Sequence, residues 1–121
     1  MWPTWLLFQP AIAKAALQYR VDRIAEARQN AVLHGFGGLM FPWESAYSGT
    51  EVDPSRATTT EEHLQGDIAF AFKQYWGATH DLAWLKSHGF AVIEGIATFW
   101  ASKAVKNAAD GSYSIPHIMG R

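Results

Sequence analysis

Cysteine is absent from the 121 residues, which excludes disulfides and thiolate metal sites within this stretch and leaves the redox compartment unassigned. Charge of one sign is not in excess: 10 Lys and Arg stand against 11 Asp and Glu, a formal net charge of −1. Without a basic field, nucleic acid is not expected as a partner. No apolar run approaches the ~20 residues that cross a bilayer. Glu94 interrupts the best one, so no membrane partner is expected. The opening residues 1–10 lack a basic region and carry only a very short apolar run. They do not read as a signal peptide; they read as a chain entered in mid-fold.

Common catalytic and ligand signatures are also missing. There is no Gly-x-Ser-x-Gly elbow and no His-Glu-x-x-His pair. His80 and His88 are too far apart to share a helical turn, and Glu62 and His63, being adjacent, diverge on a helix. Gly35-Phe36-Gly37-Gly38 follows no strand and does not match a phosphate loop. Neither a metal nor a cofactor is expected.

What is present is apolar and aromatic. Hydrophobic residues make up 49% and tryptophans number six, enough for a folded core in one domain or part of one. From Ala11 to about His34 there is no Gly or Pro, and helical spacing predicts one helix, with a bend near Arg20 as the alternative. Gly35, Gly37 and Gly38 predict a flexible exit. Thr58, Thr59 and Thr60 before Glu61 and Glu62 predict a capped start for a helix over Leu64–Trp76. Leu64, Ile68, Ala71, Phe72 and Tyr75 form one face; Ala69, Phe70 and Trp76 form another, so burial on most sides is expected. Gly77 is expected to stop it. Thr79 or Asp81 then caps a short helix through Lys86, ended by His88-Gly89. The last helix runs from Phe90 to about Lys106 on Ile93, Ile96, Ala97, Trp100 and Ala104. Asn107–Gly111 reads as a turn and Tyr113–Ile118 as a short strand or extended exit. The class is all-α. Helices apolar on several sides need more neighbours than this chain supplies, which predicts an incomplete helical array and self-association of the chain.

Between the two helical halves lies Leu39–Pro54, where Pro42, Gly49 and Pro54 interrupt helix. It combines Phe41, Trp43 and Tyr47 with Glu44, Glu51 and Asp53. Two readings follow: a lined cavity, or a connection docking its aromatics on the core. A Trp beside a Glu offers a flat apolar platform and a charged acceptor, the two things a sugar ring needs. Glycosidic cleavage further needs two carboxyl groups across the bond, roughly 6.5–9.5 Å apart for inversion and about 5 Å for retention.

Three blocks, in order, resemble glycoside hydrolase family 65, which includes acid trehalase, the glucosidase acting on glucosyl-galactosyl-hydroxylysine, and maltose, trehalose and kojibiose phosphorylases. Phe41-Pro42-Trp43-Glu44-Ser45-Ala46 with Gly49-Thr50-Glu51 resembles the family's substrate loop. Glu62-His63-Leu64-Gln65-Gly66-Asp67-Ile68-Ala69 resembles its Glu-His-x-x-Gly-Asp-Ile helix start. Phe99-Trp100-Ala101-Ser102 and Ile118-Met119-Gly120 resemble the run into its catalytic loop, and Pro3 to Arg20 the helix pair upstream. The resemblance implies a partial (α/α)6 barrel, with residues 1–121 a fragment of one catalytic domain truncated at both ends. It implies inverting cleavage of α-glucosides by water, in a trehalase-like hydrolase, or by phosphate as co-substrate in a disaccharide phosphorylase. Trp43 and Glu44 would contact the glucose at the non-reducing subsite, with Glu62 and His63 near the same pocket or, alternatively, capping and packing a helix start. The family's general acid, in a Pro-Asp-Glu-Tyr-His motif, would follow Arg121, and its Trp-Asp motif would precede Met1, so no catalytic residue is expected within the chain. A non-catalytic helical carbohydrate-binding or interaction module is the reading from another class.

Overall fold

The computed structural model describes residues 1–53 and 60–119, and these are mainly helical. Helices α1 (Trp2–Phe8), α2 (Pro10–Val21) and α3 (Ile24–Leu33) form the first half. The second half holds α4 (Leu64–Thr79), the three-residue α5 (Leu82–Trp84), a π-helical turn (Leu85–Gly89) and α6 (Phe90–Lys103). A two-stranded antiparallel ribbon closes the chain, β1 (Val105–Lys106) against β2 (Tyr113–Ser114), with Val105 opposite Ser114.

The stretch from Ala11 to His34 is two helices, as in the alternative with a bend near Arg20. The break falls at Asp22-Arg23, where Arg23 leaves helical geometry (φ −116°, ψ 19°). No Gly or Pro marks it; at the break Arg23 reaches across to the Tyr47 carbonyl through Nε (3.2 Å) and Nη2 (2.8 Å). After the break, Ala27 and Ala31 are fully buried, which small side chains permit by letting another segment approach closely.

The exit from α3 is ordered by specific contacts. Gly35, at φ +80°, closes a Schellman motif in which Phe36 N–H donates to Ala31 O (2.9 Å) and Gly35 N–H to Val32 O (3.0 Å). Gly38, at φ +74°, lies so close to α6 that a Cβ there would stand 2.2 Å from Gly95 O. The expected flexible exit is therefore a tight crossing of α3 to α6.

The main core gathers Ala13 and Leu17 of α2, Ile68, Phe72 and Tyr75 of α4, Trp84, and Val92 and Ile96 of α6. Phe72 stacks on Trp84 (centroids 5.7 Å apart, 5° between planes), and Tyr75 meets the same indole edge-on at 5.3 Å. Asp81 caps α5, its Oδ1 accepting from Trp84 N–H at 3.1 Å. α4 continues past Gly77 to Thr79 and ends on His80 in the left-handed conformation (φ 53°). Gly77 has no neighbour to crowd it and costs the helix only ~1 kcal/mol, too little to stop it.

Two helix faces differ from the sequence expectation. On α4 the surface carrying Phe70 and Trp76 is open, at 56% and 42% exposure, so within these residues the helix is covered on one side. α6 stops at Lys103, and its buried positions are Val92, Ile96, Phe99 and Lys103. Of the predicted face only Ile96 is fully buried. A helix apolar almost all round leaves its inward face undetermined by hydrophobicity, and here a lysine lies on it. Thr58 and Thr59, expected to cap α4, lie outside the described residues.

Candidate functional site

Residues 39–53 form the loop between α3 and α4, and every surrounding element contributes to holding it. Leu39 N–H donates to Gly95 O of α6 (2.9 Å) and Met40 N–H to Ala27 O of α3 (3.0 Å). Asn30 Nδ2 donates to Met40 O at 2.8 Å. Gln65, 1% exposed on the inner face of α4, brackets the Phe41 peptide: its Oε1 accepts from Phe41 N–H (2.9 Å) and its Nε2 donates to Phe41 O (2.7 Å). The Tyr19 hydroxyl lies 2.8 Å from Ser45 Oγ and donates to Ala46 O. That bond anchors Ala46 at φ 39°, a conformation unfavourable for a residue with a Cβ. Leu39, Met40 and Phe41 are buried in the process. The loop's first aromatic thus docks on the core, while Trp43 is half-buried and Glu44 and Tyr47 are exposed.

Trp43 and Glu44 therefore sit on a turn whose backbone is pinned, with the indole half-buried and Glu44 exposed. The Trp43 indole packs on the His63 imidazole, centroids 5.5 Å apart and planes at 58°. This contact brings together two of the residues singled out from sequence, and Glu44, next to Trp43 in the chain, is exposed. An indole, an imidazole and a neighbouring exposed carboxylate are groups able to bind a polyhydroxylated ring.

Glu62, the fourth, is placed differently. It is 2% exposed, and its Oε1 accepts from Lys103 Nζ at 2.8 Å. Its Oε2 is buried and has no hydrogen-bond partner among the described residues. Burial pushes the Glu62 carboxyl above its ordinary value, against the opposing pull of the Lys103 ammonium. Lys103 Nζ also stands 4.7 Å over the Phe36 ring. Glu62 is thus an inward ion-paired group directly behind His63.

Sequence reasoning missed Gln65, Lys103 and Tyr19. A signal existed for the first two: each is a polar residue in register with an apolar face, Gln65 with Ile68, Phe72 and Tyr75, and Lys103 with Val92, Ile96 and Phe99. Tyr19 carries no such mark. Two surface clefts have no Trp43, Glu44 or His63 in their lining, although the first reaches the loop at Thr50 and Glu51. One of about 250 Å³ is lined by Glu26, Gln29, Asn30, Leu33, Thr50 and Glu51, and one of about 230 Å³ by residues of α1, α2 and α4. Among the described residues no three His, Asp or Glu side chains are grouped to hold a metal ion, and no helix is long and apolar enough to cross a membrane.

The comparisons with known proteins agree with one another. The family model described as the glycosyl hydrolase family 65 central catalytic domain matches residues 1–121. A kojibiose hydrolase of Flavobacterium johnsoniae is 44% identical over 121 residues, covering 98% of this chain and 18% of that protein. A protein-glucosylgalactosylhydroxylysine glucosidase of Danio rerio is 41% identical with the same coverage, 98% and 18%. A kojibiose phosphorylase of Thermoanaerobacter brockii is 35% identical, covering 99% of this chain and 17% of that protein. The chain thus spans under a fifth of the length of these relatives. A solved chain assigned as a kojibiose phosphorylase from human microbiome superposes with a TM-score of 0.91 over 98% of this chain and 18% of its own, at 21% identity. At that identity the likeness speaks to fold, and the fold is an all-α portion of a helical barrel domain.

Proposed function

The chain belongs to glycoside hydrolase family 65, and from that premise we propose that it is part of the (α/α)6 catalytic domain of an enzyme that cleaves α-glucosides in carbohydrate metabolism. Trp43 and Glu44 hold the glucose at the non-reducing subsite. The observation that supports this reading is the pinned Trp43–Glu44 turn, with Glu44 exposed and the half-buried indole packed against His63. The indole covers the C–H face of the ring and the carboxylate accepts from its hydroxyls, a charge-assisted bond. His63 adds a polar edge to the same pocket. Glu62 contributes from behind, through its ion pair with Lys103 and its buried charge.

The reaction proposed is hydrolysis, supported by the hydrolase and glucosidase names of the more similar relatives, with inversion as the family resemblance implies. Inversion needs a general acid and a base across the glycosidic bond. None of Glu44, Glu62 or Glu51 is given either role, and no catalytic residue is assigned within these 121 residues. The second reading is the phosphorylase branch, favoured by the relatives named kojibiose phosphorylases, with inorganic phosphate replacing water as the attacking species.

The test uses the full-length protein that carries this chain, on kojibiose, maltose and trehalose, with phosphate present and withheld. Glucose alone marks a hydrolase; phosphate-dependent glucose 1-phosphate marks a phosphorylase. Trp43→Ala and Glu44→Gln should each lower kcat/KM on whichever disaccharide is cleaved, Glu44→Gln by about tenfold or more, the worth of a charge-assisted hydrogen bond of ~1.5–3 kcal/mol. Unchanged kinetics in both variants would reject the subsite.

A further inference from the structure

Phe41, Trp43 and Glu44 supply the only backbone N–H groups between residues 41 and 44, since Pro42 has none. Phe41 N–H goes to Gln65, and the other two go to one side chain, Glu51. Trp43 N–H donates to Glu51 Oε2 at 2.8 Å and Glu44 N–H to Oε1 at 3.1 Å. The same Oε1 accepts from Val52 N–H (3.0 Å) and Asp53 N–H (3.1 Å). Four amides thus converge on one carboxylate. Val52 N–H is shared with Glu44 O at 2.9 Å, so the Glu44 peptide is held at its N–H by the Glu51 side chain and at its C=O by the following residue.

We propose that Glu51 is a positioning residue for the sugar site: its carboxylate sets the Trp43–Glu44 turn so that the indole and the acceptor face one glucose ring. This rests on the subsite reading above. The physical ground is pre-organisation. A turn without the four N–H bonds to Glu51 would sample more conformations, and binding would then carry the cost of ordering it. A buried or half-buried anion accepting several N–H bonds holds the turn more strongly than neutral acceptors do. The two oxygens also divide the work. Oε2 holds Trp43 alone, while Oε1 holds Glu44 together with the two residues that follow Glu51.

That division makes the proposal testable in the full-length protein. In Glu51→Gln the single carbonyl oxygen is expected to take the Oε1 position, where three donors converge. The amide NH2 then faces the Trp43 N–H and that bond is lost. In Glu51→Asp the shorter arm keeps Val52 and Asp53 in reach and releases Trp43 and Glu44. Hydrogen–deuterium exchange should therefore quicken at Trp43 in the first variant, and at Trp43 and Glu44 in the second. Kinetics on the disaccharide cleaved should show KM raised and kcat/KM lowered about tenfold in both, with glucose inhibition weakened in parallel. In the Trp43→Ala/Glu44→Gln background, Glu51→Gln should add less than about twofold, because Glu51 acts through those two side chains. If Trp43→Ala and Glu44→Gln impair the enzyme but the Glu51 variants leave KM unchanged, the positioning role is overturned and the subsite stands. A full tenfold loss on top of the double variant overturns it equally, since Glu51 would then act by another route. If Trp43→Ala and Glu44→Gln are themselves silent, the subsite reading fails and takes this role with it.

Discussion

Replacing Lys103 by Met isolates the most exposed electrostatic liability of the fold, a carboxylate taken out of water. The Glu62 and Lys103 side chains are 2% and 5% exposed, with Nζ 2.8 Å from Oε1. Removing one partner of such a pair leaves the other buried and uncompensated, which destabilises by about 3–5 kcal/mol. That is a large share of the ~5–15 kcal/mol that holds a domain together. The pH dependence identifies the cause. Burial already raises the Glu62 carboxyl above its unfolded value, with Lys103 acting to lower it. Between the unfolded and folded values the native state therefore binds more protons, and the Glu62 contribution to stability falls as pH rises through that window. Without Lys103 the window widens upward. Lys103→Met should then be weakest at neutral and alkaline pH and should recover toward wild type as pH drops to the ordinary carboxylate range.

The control is Glu62→Gln/Lys103→Met. With both charges gone, the double variant should lose that pH dependence and return close to wild-type stability, since replacing a buried pair by uncharged groups is often neutral. Urea unfolding followed by tryptophan fluorescence at several pH values, in the full-length protein, measures all three. Comparing differences between variants cancels the titration of other carboxylates. An equal loss for Lys103→Met at every pH, or a double variant no better than the single, would refute the reasoning. The same series bears on the site, because Glu62 is joined in sequence to His63, which packs on Trp43.

Gln65→Leu should leave both polar groups of the buried Phe41 peptide without their partner, at about 1–3 kcal/mol for each; denaturation measures the loss, and a raised KM for disaccharide should accompany it because Phe41 leads into the turn. Produced as these 121 residues alone, the chain should self-associate through the uncovered side of α4, and Phe70→Ser/Trp76→Ser should shift its size-exclusion elution toward the monomer; identical elution would show that another surface is responsible.

The class and the order of helices were readable because periodicity survives without knowledge of neighbours. Ile68, Phe72 and Tyr75 repeat at helical spacing and do form the inner face of α4, and Asp81 does cap the short helix. Breaks and close approaches between elements were less readable. The break at Asp22-Arg23 was legible only as an alternative, a bend near Arg20, and Gly38 serves a close approach to α6 that no local pattern announces. The Trp-Glu pair of the candidate site could be noticed as residue types. Its support was marked only at Gln65, a polar residue in register with an apolar face; Tyr19, Arg23 and Asn30 reach the loop with no such mark.

The polar residues on apolar faces carry the more general lesson. Gln65 and Lys103 each occupy the position where a helical repeat calls for Leu or Ile. Burying an amide or an ammonium without a partner is costly, so a polar side chain at such a position implies a specific buried partner. For Gln65 the partner is a main-chain peptide of the loop; for Lys103 it is the carboxylate just before α4. Both partners flank the Trp43–His63 contact, one through the Phe41 peptide and one through Glu62. An apolar residue at position 65 would fill the volume but leave the Phe41 peptide without its partner. Gln65 thus adds to the bonds from Gly95, Ala27, Asn30 and Tyr19 that fix the loop's register, while Lys103 holds Glu62, the residue before His63.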